Sequence, residues 1–209
     1  AVGAEVLGEG PVHTPGDAGS LRVLAVPASL RRDSFNRRLV DAVIGLSSGD
    51  VSIELFDGLP DVPLFSEDLE SPQAPRGVER LREVVSRADG LLIATPEYNQ
   101  ALPGVVKNFV DWLSRGDAPV IEGKPVGILG VTPGSWGTRH AQAQLRHCLA
   151  ACGALVMPSP QVYLRNGSEL FDEPRGLIDV RARESLIEFL TSFGRWVRMV
   201  TGNGEGMTS

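Results

Sequence analysis

The chain has 209 residues, 42% of them hydrophobic and 22% charged, with a formal net charge of −6. That length can bury one full core. The acidic balance argues against a general nucleic-acid binder, which needs a basic face, and no apolar stretch is long enough to span a bilayer.

Residues 1–20 are rich in glycine and proline and have no apolar period, so a mobile tail is expected there. They also lack the charged-then-apolar pattern of a secretion signal, and a cytoplasmic protein is expected. Leu21-Arg22-Val23-Leu24-Ala25-Val26 reads as a first strand. Pro27 to Asn36 follows as a loop, and Phe35, Leu39, Val40, Val43 and Ile44 give the helix after it its apolar stripe. A helix start offers unpaired N–H groups and the positive end of its dipole, so this loop can receive an anion. Ser29, Ser34 and Asn36 add neutral donors, and Arg31 adds a forked cation suited to phosphate. Neither GxxxxGK[ST] nor GxGxxG is present. On this loop alone, Ser34 as a plain helix cap is an equally good reading.

Val51 to Phe56 alternates as a second strand, and the proline-rich segment 57–65 follows. Val78, Leu81, Val84 and Val85 mark a helix. Gly90-Leu91-Leu92-Ile93-Ala94 reads as a buried strand, and residues 105–113 read as a helix. Between them lies Thr95-Pro96-Glu97-Tyr98-Asn99-Gln100-Ala101-Leu102-Pro103-Gly104, a loop stiffened by proline that can hold Tyr98 and Asn99 against a flat polar ligand. Val126 to Val131 predicts a fourth strand, with Thr132-Pro133-Gly134-Ser135-Trp136-Gly137 as its loop. A helix over 138–152 follows, a fifth strand begins at Leu155, and Leu186, Leu190, Phe193, Val197 and Val200 mark a closing helix. Residues 201–209 are expected to be a second mobile tail.

Five alternations of strand and helix predict an α/β fold over 21–200, a doubly wound five-stranded parallel sheet with helices on both faces. Right-handed crossovers place the loops after strands one, three and four together at the carboxyl edge, where such sheets bind ligands. Cys148 and Cys152 share a helical stripe and read as core. His140 and His147 are seven apart, too far for a paired metal site on one helix, so no metal is expected.

Three stretches resemble the NADPH-dependent FMN reductase family, whose members include quinone, chromate and azo-dye reductases. Ala28 to Asn36 is similar to its phosphate loop, with Ala28 standing where the family usually has glycine. Thr95 to Arg115 is similar to its flavin loop over a long and specific run, and Gly123 to Thr138 fits as well. The resemblance implies a flavodoxin-like fold and an FMN-dependent NAD(P)H oxidoreductase, with NADPH or NADH as reductant. It places the cofactor against Ser29, Arg31, Ser34, Phe35, Asn36, Pro96, Glu97, Tyr98, Asn99, Thr132, Gly134, Ser135 and Gly137. No side chain is needed as a catalytic group, because the cofactor carries the hydride. Ping-pong turnover with a small acceptor such as a quinone is expected. Two alternatives stay open: a reductase that hands reduced FMN to a partner monooxygenase, and a flavin-binding electron-transfer module. A homodimer or homotetramer is expected, because Val105, Val106, Phe109, Trp112 and Leu113 are apolar over more of their helix than one sheet contact requires.

Overall fold

A computed structural model describes residues 20–70, 73–172 and 176–202. Both expected tails therefore lie almost wholly outside the described residues. The elements alternate from the start. They run β1 (Leu21–Pro27), α1 (Phe35–Leu46), β2 (Val51–Leu55), α2 (Arg76–Arg87), β3 (Gly90–Ala94), α3 (Gly104–Leu113), β4 (Pro125–Val131) and α4 (Arg139–Ala151). Short pieces follow: β5 (Leu155–Val156), β6 (Val162–Leu164), α5 (Gly167–Leu170), β7 (Phe171–Asp172) and β8 (Gly176–Leu177). The long helix α6 (Val180–Thr201) closes the fold.

The sheet order is β2-β1-β3-β4-β5, and every pairing in it is parallel. It is the doubly wound order expected of a flavodoxin-like chain. Successive side chains of β1 serve opposite faces, as the pleat requires. Val23 and Ala25 join the core under α1 and α6, with Leu39, Val43, Leu186 and Phe193. Leu24 and Val26 join the core under α2, α3 and α4, with Leu81, Phe109, Trp112 and Leu145.

Two features differ from the expected sheet. The fifth position is not one strand. β5 pairs with Pro125 and Val126 of β4, and β6 resumes the pairing at Leu129. Pro158 and Pro160 stand between them without N–H donors, so the edge strand leaves the ladder and returns. The antiparallel pair β7–β8 was not expected either.

The apolar run of α3 is a third departure. Val106, Phe109, Trp112 and Leu113 are buried within this one chain, and Val105 is half-buried. Segment 57–70 covers them. The carbonyl of Pro63 accepts from Trp112 Nε1 at 2.8 Å and from Asn108 Nδ2 at 2.9 Å, and Phe65 N–H donates to Asn108 Oδ1 at 2.7 Å. The Phe65 ring meets Trp112 edge-on at 5.0 Å. Lys107 pairs with Asp111 on its own helix, and the Arg115 guanidinium lies 4.9 Å from the centre of the Phe65 ring. The surplus apolar surface read as a subunit contact is thus covered by the chain itself.

Candidate functional site at the carboxyl edge of the sheet

The three loops singled out in the sequence are joined at their roots. Ala28 N–H donates to Ala94 O and Thr95 N–H donates to Leu129 O, both at 2.9 Å. These bonds carry the β1–β3 and β3–β4 ladders one step past the strands, so the three loops leave the same edge side by side.

In the first loop the chain turns sharply. Ser29 N–H donates to Pro27 O, and Arg31 N–H reaches Ser29 Oγ at 3.4 Å. Leu30, Arg31, Arg32 and Asp33 are exposed. Ser34 caps α1, its Oγ accepting from Asn36 N–H at 3.2 Å. The Arg31 guanidinium contacts Asp33 O at 3.3 Å, while the Asp33 carboxylate is held by Arg38 at 2.6 Å. Among the described residues, the main-chain N–H groups of Leu30, Arg32 and Asp33 have no acceptor. The other two residues expected here are engaged elsewhere. Asn36 makes a double hydrogen bond to the main chain of Val131. Phe35 is half-buried and stacks on Phe171 at 6.2 Å.

In the second loop Pro96 is buried and Glu97 turns toward α4. One oxygen of its carboxylate accepts from His140 N–H at 2.8 Å and Ala141 N–H at 3.0 Å, capping the helix from outside it. Tyr98 and Ala101 exchange main-chain hydrogen bonds around Asn99 and Gln100, which have φ of 53° and 60°. This is a primed turn built without glycine. It leaves Tyr98 and Asn99 exposed at the tip. Leu102 N–H then donates to Gln144 Oε1 at 2.9 Å. Gln144 carries no signal in the sequence, because only the fold sets α4 beside this loop.

The third loop is fastened to the far side of the sheet. Thr132 N–H donates to Leu164 O, Asn166 N–H to Gly134 O and Gly167 N–H to Thr132 O. Thr132 Oγ1 donates to Gly134 O at 3.1 Å. Gly134 and Ser135 stay exposed, and Trp136 is 86% exposed. Gly137 adopts φ of 73° against Tyr163, where a Cβ would sit 3.3 Å from the tyrosine Cβ. Arg139 covers the Tyr163 ring from 5.2 Å.

This edge fits a flat ligand bearing one phosphate. The free N–H groups of Leu30, Arg32 and Asp33 in the loop that leads into α1, with Ser29 and Arg31, supply neutral and charged donors for a phosphate. A Cβ added at Gly104 or Gly134 would meet nothing within 4 Å, so the second and third loops leave room for a ring to approach their main chain. Two surface clefts of about 390 and 470 Å³ run along α1 and α6, and neither is lined by a residue of the three loops.

Comparison with known proteins agrees with this geometry. A family model described as NADPH-dependent FMN reductase matches residues 21–169. An NAD(P)H-dependent FMN reductase of Pseudomonas aeruginosa is 39% identical over 182 residues, covering 87% of this chain and 98% of that protein. A 2-hydroxy-1,4-benzoquinone reductase of a Burkholderia species is 37% identical over 180 residues, covering 86% and 97%. Among solved structures, the flavoenzyme NAD(P)H:(acceptor) oxidoreductase FerB of Paracoccus denitrificans superimposes with a TM-score of 0.78. It is 31% identical over 86% of this chain and 98% of its own.

Proposed function

The chain belongs to the NADPH-dependent FMN reductase family, and from that premise we propose that it reduces a small quinone at the carboxyl edge of its sheet by a ping-pong scheme. It is an oxidoreductase that uses FMN and NAD(P)H. The observation that carries the reading is the convergence of the three loops, joined through Ala28, Ala94, Thr95 and Leu129.

When bound, FMN supplies the hydride chemistry, and the protein orients it and tunes its surroundings. The α1 N-terminus, Ser29 and Arg31 hold the phosphate. Ser34 acts through the helix it caps, Asn36 through its hydrogen bonds to Val131, and Phe35 through packing. The turn at Tyr98 and Asn99 borders the ring, set in place by Pro96 and Glu97. Thr132, Gly134, Ser135 and Gly137 close the opposite side, and main-chain N–H donors there would stabilise negative charge on the ring's polar edge. A single phosphate cradle favours FMN over FAD.

Support for a quinone as acceptor comes from the names of the relatives, among them quinone reductases of Pseudomonas putida and Escherichia coli. Support for one shared face comes from the exposure of Tyr98 and Trp136 at the mouth. We further place the catalytic domain at residues 21–200 and the enzyme in the cytoplasm, beside its reductant. No helix among the described residues is long and apolar enough to cross a membrane. A homodimer or homotetramer stays in the proposal on different ground from α3. Leu64 is 80% exposed on the segment that covers that helix, and Trp136 is also bare. Light scattering decides it, a monomer of 22.3 kDa rejecting the assembly.

Steady-state NADPH oxidation with a quinone tests the scheme. Parallel double-reciprocal lines are expected, and intersecting lines with a ternary complex reject the shared face. A second reading has its own support, since the relative from Pseudomonas aeruginosa is named for reduction of FMN. Turnover of free FMN in excess over the protein, with release of reduced FMN, would favour that reading.

A further inference from the structure

The turn at Asn99 and Gln100 raises a question of what holds it. Two adjacent residues with side chains sit in the left-handed region, at φ of 53° and 60°. Asn tolerates that conformation at the first position, but turns of this kind ordinarily use glycine at the second, where Gln100 carries a Cβ and the conformation is disfavoured. Such a turn persists where its surroundings over-determine it. The exchange of hydrogen bonds between Tyr98 and Ala101 closes it locally, at 3.3 and 3.0 Å. Among the described residues, the other hydrogen bonds that flank the turn come from α4.

On the entering side, Glu97 is bound by the N–H groups of His140 and Ala141. On the leaving side, Leu102 N–H donates to Gln144 Oε1 at 2.9 Å, and Gln144 Nε2 makes a long 3.5 Å contact to Gln100 O. Ala141 and Gln144 are three residues apart, so both ties lie on neighbouring positions of one helix. The first is a charge-assisted bond to a helix terminus. The second is a neutral side chain whose two polar atoms both go to the loop, and it belongs to no capping or core-packing role in α4, since Gln144 is itself exposed.

We propose that Gln144 is a positioning residue for the flavin loop: it fixes the strained Tyr98–Ala101 turn and so presets the ring-facing surface of the site. The inference rests on the reading that this loop borders the flavin ring. Gln144 does not touch the cofactor. It acts by lowering the ordering cost that the loop would otherwise meet on binding. The acceptor atom matters more than the donor, because the bond to Leu102 is short and the contact to Gln100 is at the limit of a hydrogen bond.

Two variants of the full chain separate the possibilities. Gln144→Leu keeps the shape and removes the acceptor, and Gln144→Glu keeps an acceptor oxygen. The readouts are the FMN dissociation constant by fluorescence quenching, the visible spectrum of the bound flavin, the melting temperature, and hydrogen exchange of the peptide spanning 98–104. The leucine variant is expected to bind FMN roughly fivefold more weakly, the worth of one ordinary hydrogen bond, with an altered flavin spectrum and faster exchange at 98–104. The glutamate variant is expected to stay within about twofold of the parent, its acceptor bond retained. A role confined to the stability of α4 would lower the melting temperature and leave the spectrum and the affinity in place, and that result overturns the proposal. So does equal weakening by both variants. The underlying reading is tested by the unmodified protein: if FMN does not protect 98–104 from exchange, the loop does not border the ring and both claims fail. If FMN does protect it and Gln144→Leu changes nothing, only the role of Gln144 fails.

Discussion

The side chain of Asn36 pairs with the main chain of Val131 as a neighbouring strand would. Val131 N–H donates to Asn36 Oδ1 and Asn36 Nδ2 donates to Val131 O, both at 3.0 Å. A helix side chain thereby satisfies the last residue of β4 where the ladder with β3 has run out, while β6 still pairs with it on the other side. It also locks the start of α1, and with it the turn proposed to hold the phosphate, to the strand that launches the third loop.

Asn36→Leu should therefore be costly. It strands a buried N–H and a buried C=O at Val131, each worth about 1–3 kcal/mol when left unpaired. A loss of roughly 2–4 kcal/mol in urea unfolding is expected. A loss under about 0.5 kcal/mol would mean that water or a neighbour replaces the amide.

Arg31 is exposed, and among the described residues its guanidinium makes a single 3.3 Å bond, to Asp33 O, so it is available to an incoming phosphate. Arg31→Ala should weaken FMN binding by roughly 1.5–3 kcal/mol, the range for bonds to charged groups, and flatten the dependence of affinity on salt. Ser29→Ala should cost less. Isothermal titration at two ionic strengths measures both, and an unchanged dissociation constant for Arg31→Ala removes the phosphate assignment.

Asn108 ties segment 57–70 to α3 from both of its polar atoms. Asn108→Ala should leave Phe65 N–H without its acceptor while Trp112 still donates to Pro63 O. We expect a loss of about 1–3 kcal/mol and faster proteolytic cleavage near Leu64. Cleavage at the parent rate would show that the Trp112 bond holds the segment alone.

Lys124 gives the clearest dependence on pH. Burial holds its ammonium below the usual 10.5, the Asp89 carboxylate offsets part of this, and Arg22 adds to it. Its amino group donates to Ala88 O at 2.7 Å. Between the lowered folded value and 10.5, the unfolded chain binds more protons than the folded one, so stability rises with pH through that window. Below the folded value the burden is fully present. Lys124→Met should abolish this rise, and urea midpoints on the alkaline side measure it. A rise of equal slope in the variant assigns the effect to another group.

Much of the fold could be read from the chain, and the reasons are physical. The buried strands Leu21–Pro27, Gly90–Ala94 and Pro125–Val131 are nearly continuous apolar runs, the first ending in Pro27 and the other two followed by Thr95 and Thr132, and parallel strands covered on both faces must look like that. That the three loops leave one edge of the sheet followed from the topology. What could not be read depends on partners distant in sequence. Asn36 carries an amide in a helix-starting loop, where it looks like a donor for an anion, but its partner lies 95 residues away. The apolar face of α3 looks unpartnered until Pro63, 49 residues from Trp112, is seen to cover it. Glu97 looks like a ring-side polar group, and its partners on α4 are 43 and 44 residues on. The fifth strand was expected to begin at Leu155, and neither its break at Pro158 and Pro160 nor the return of pairing at Val162 was read from the chain.

The most direct test of the central claim is anaerobic mixing of NADPH or NADH with the FMN-loaded protein, followed by a quinone. The account predicts one FMN per chain, retained at micromolar protein. It predicts loss of the oxidised flavin's visible absorbance on adding reductant, and its return when quinone is added without further NAD(P)H. A chain that takes up no FMN, or whose bound flavin neither nicotinamide can reduce, would contradict it.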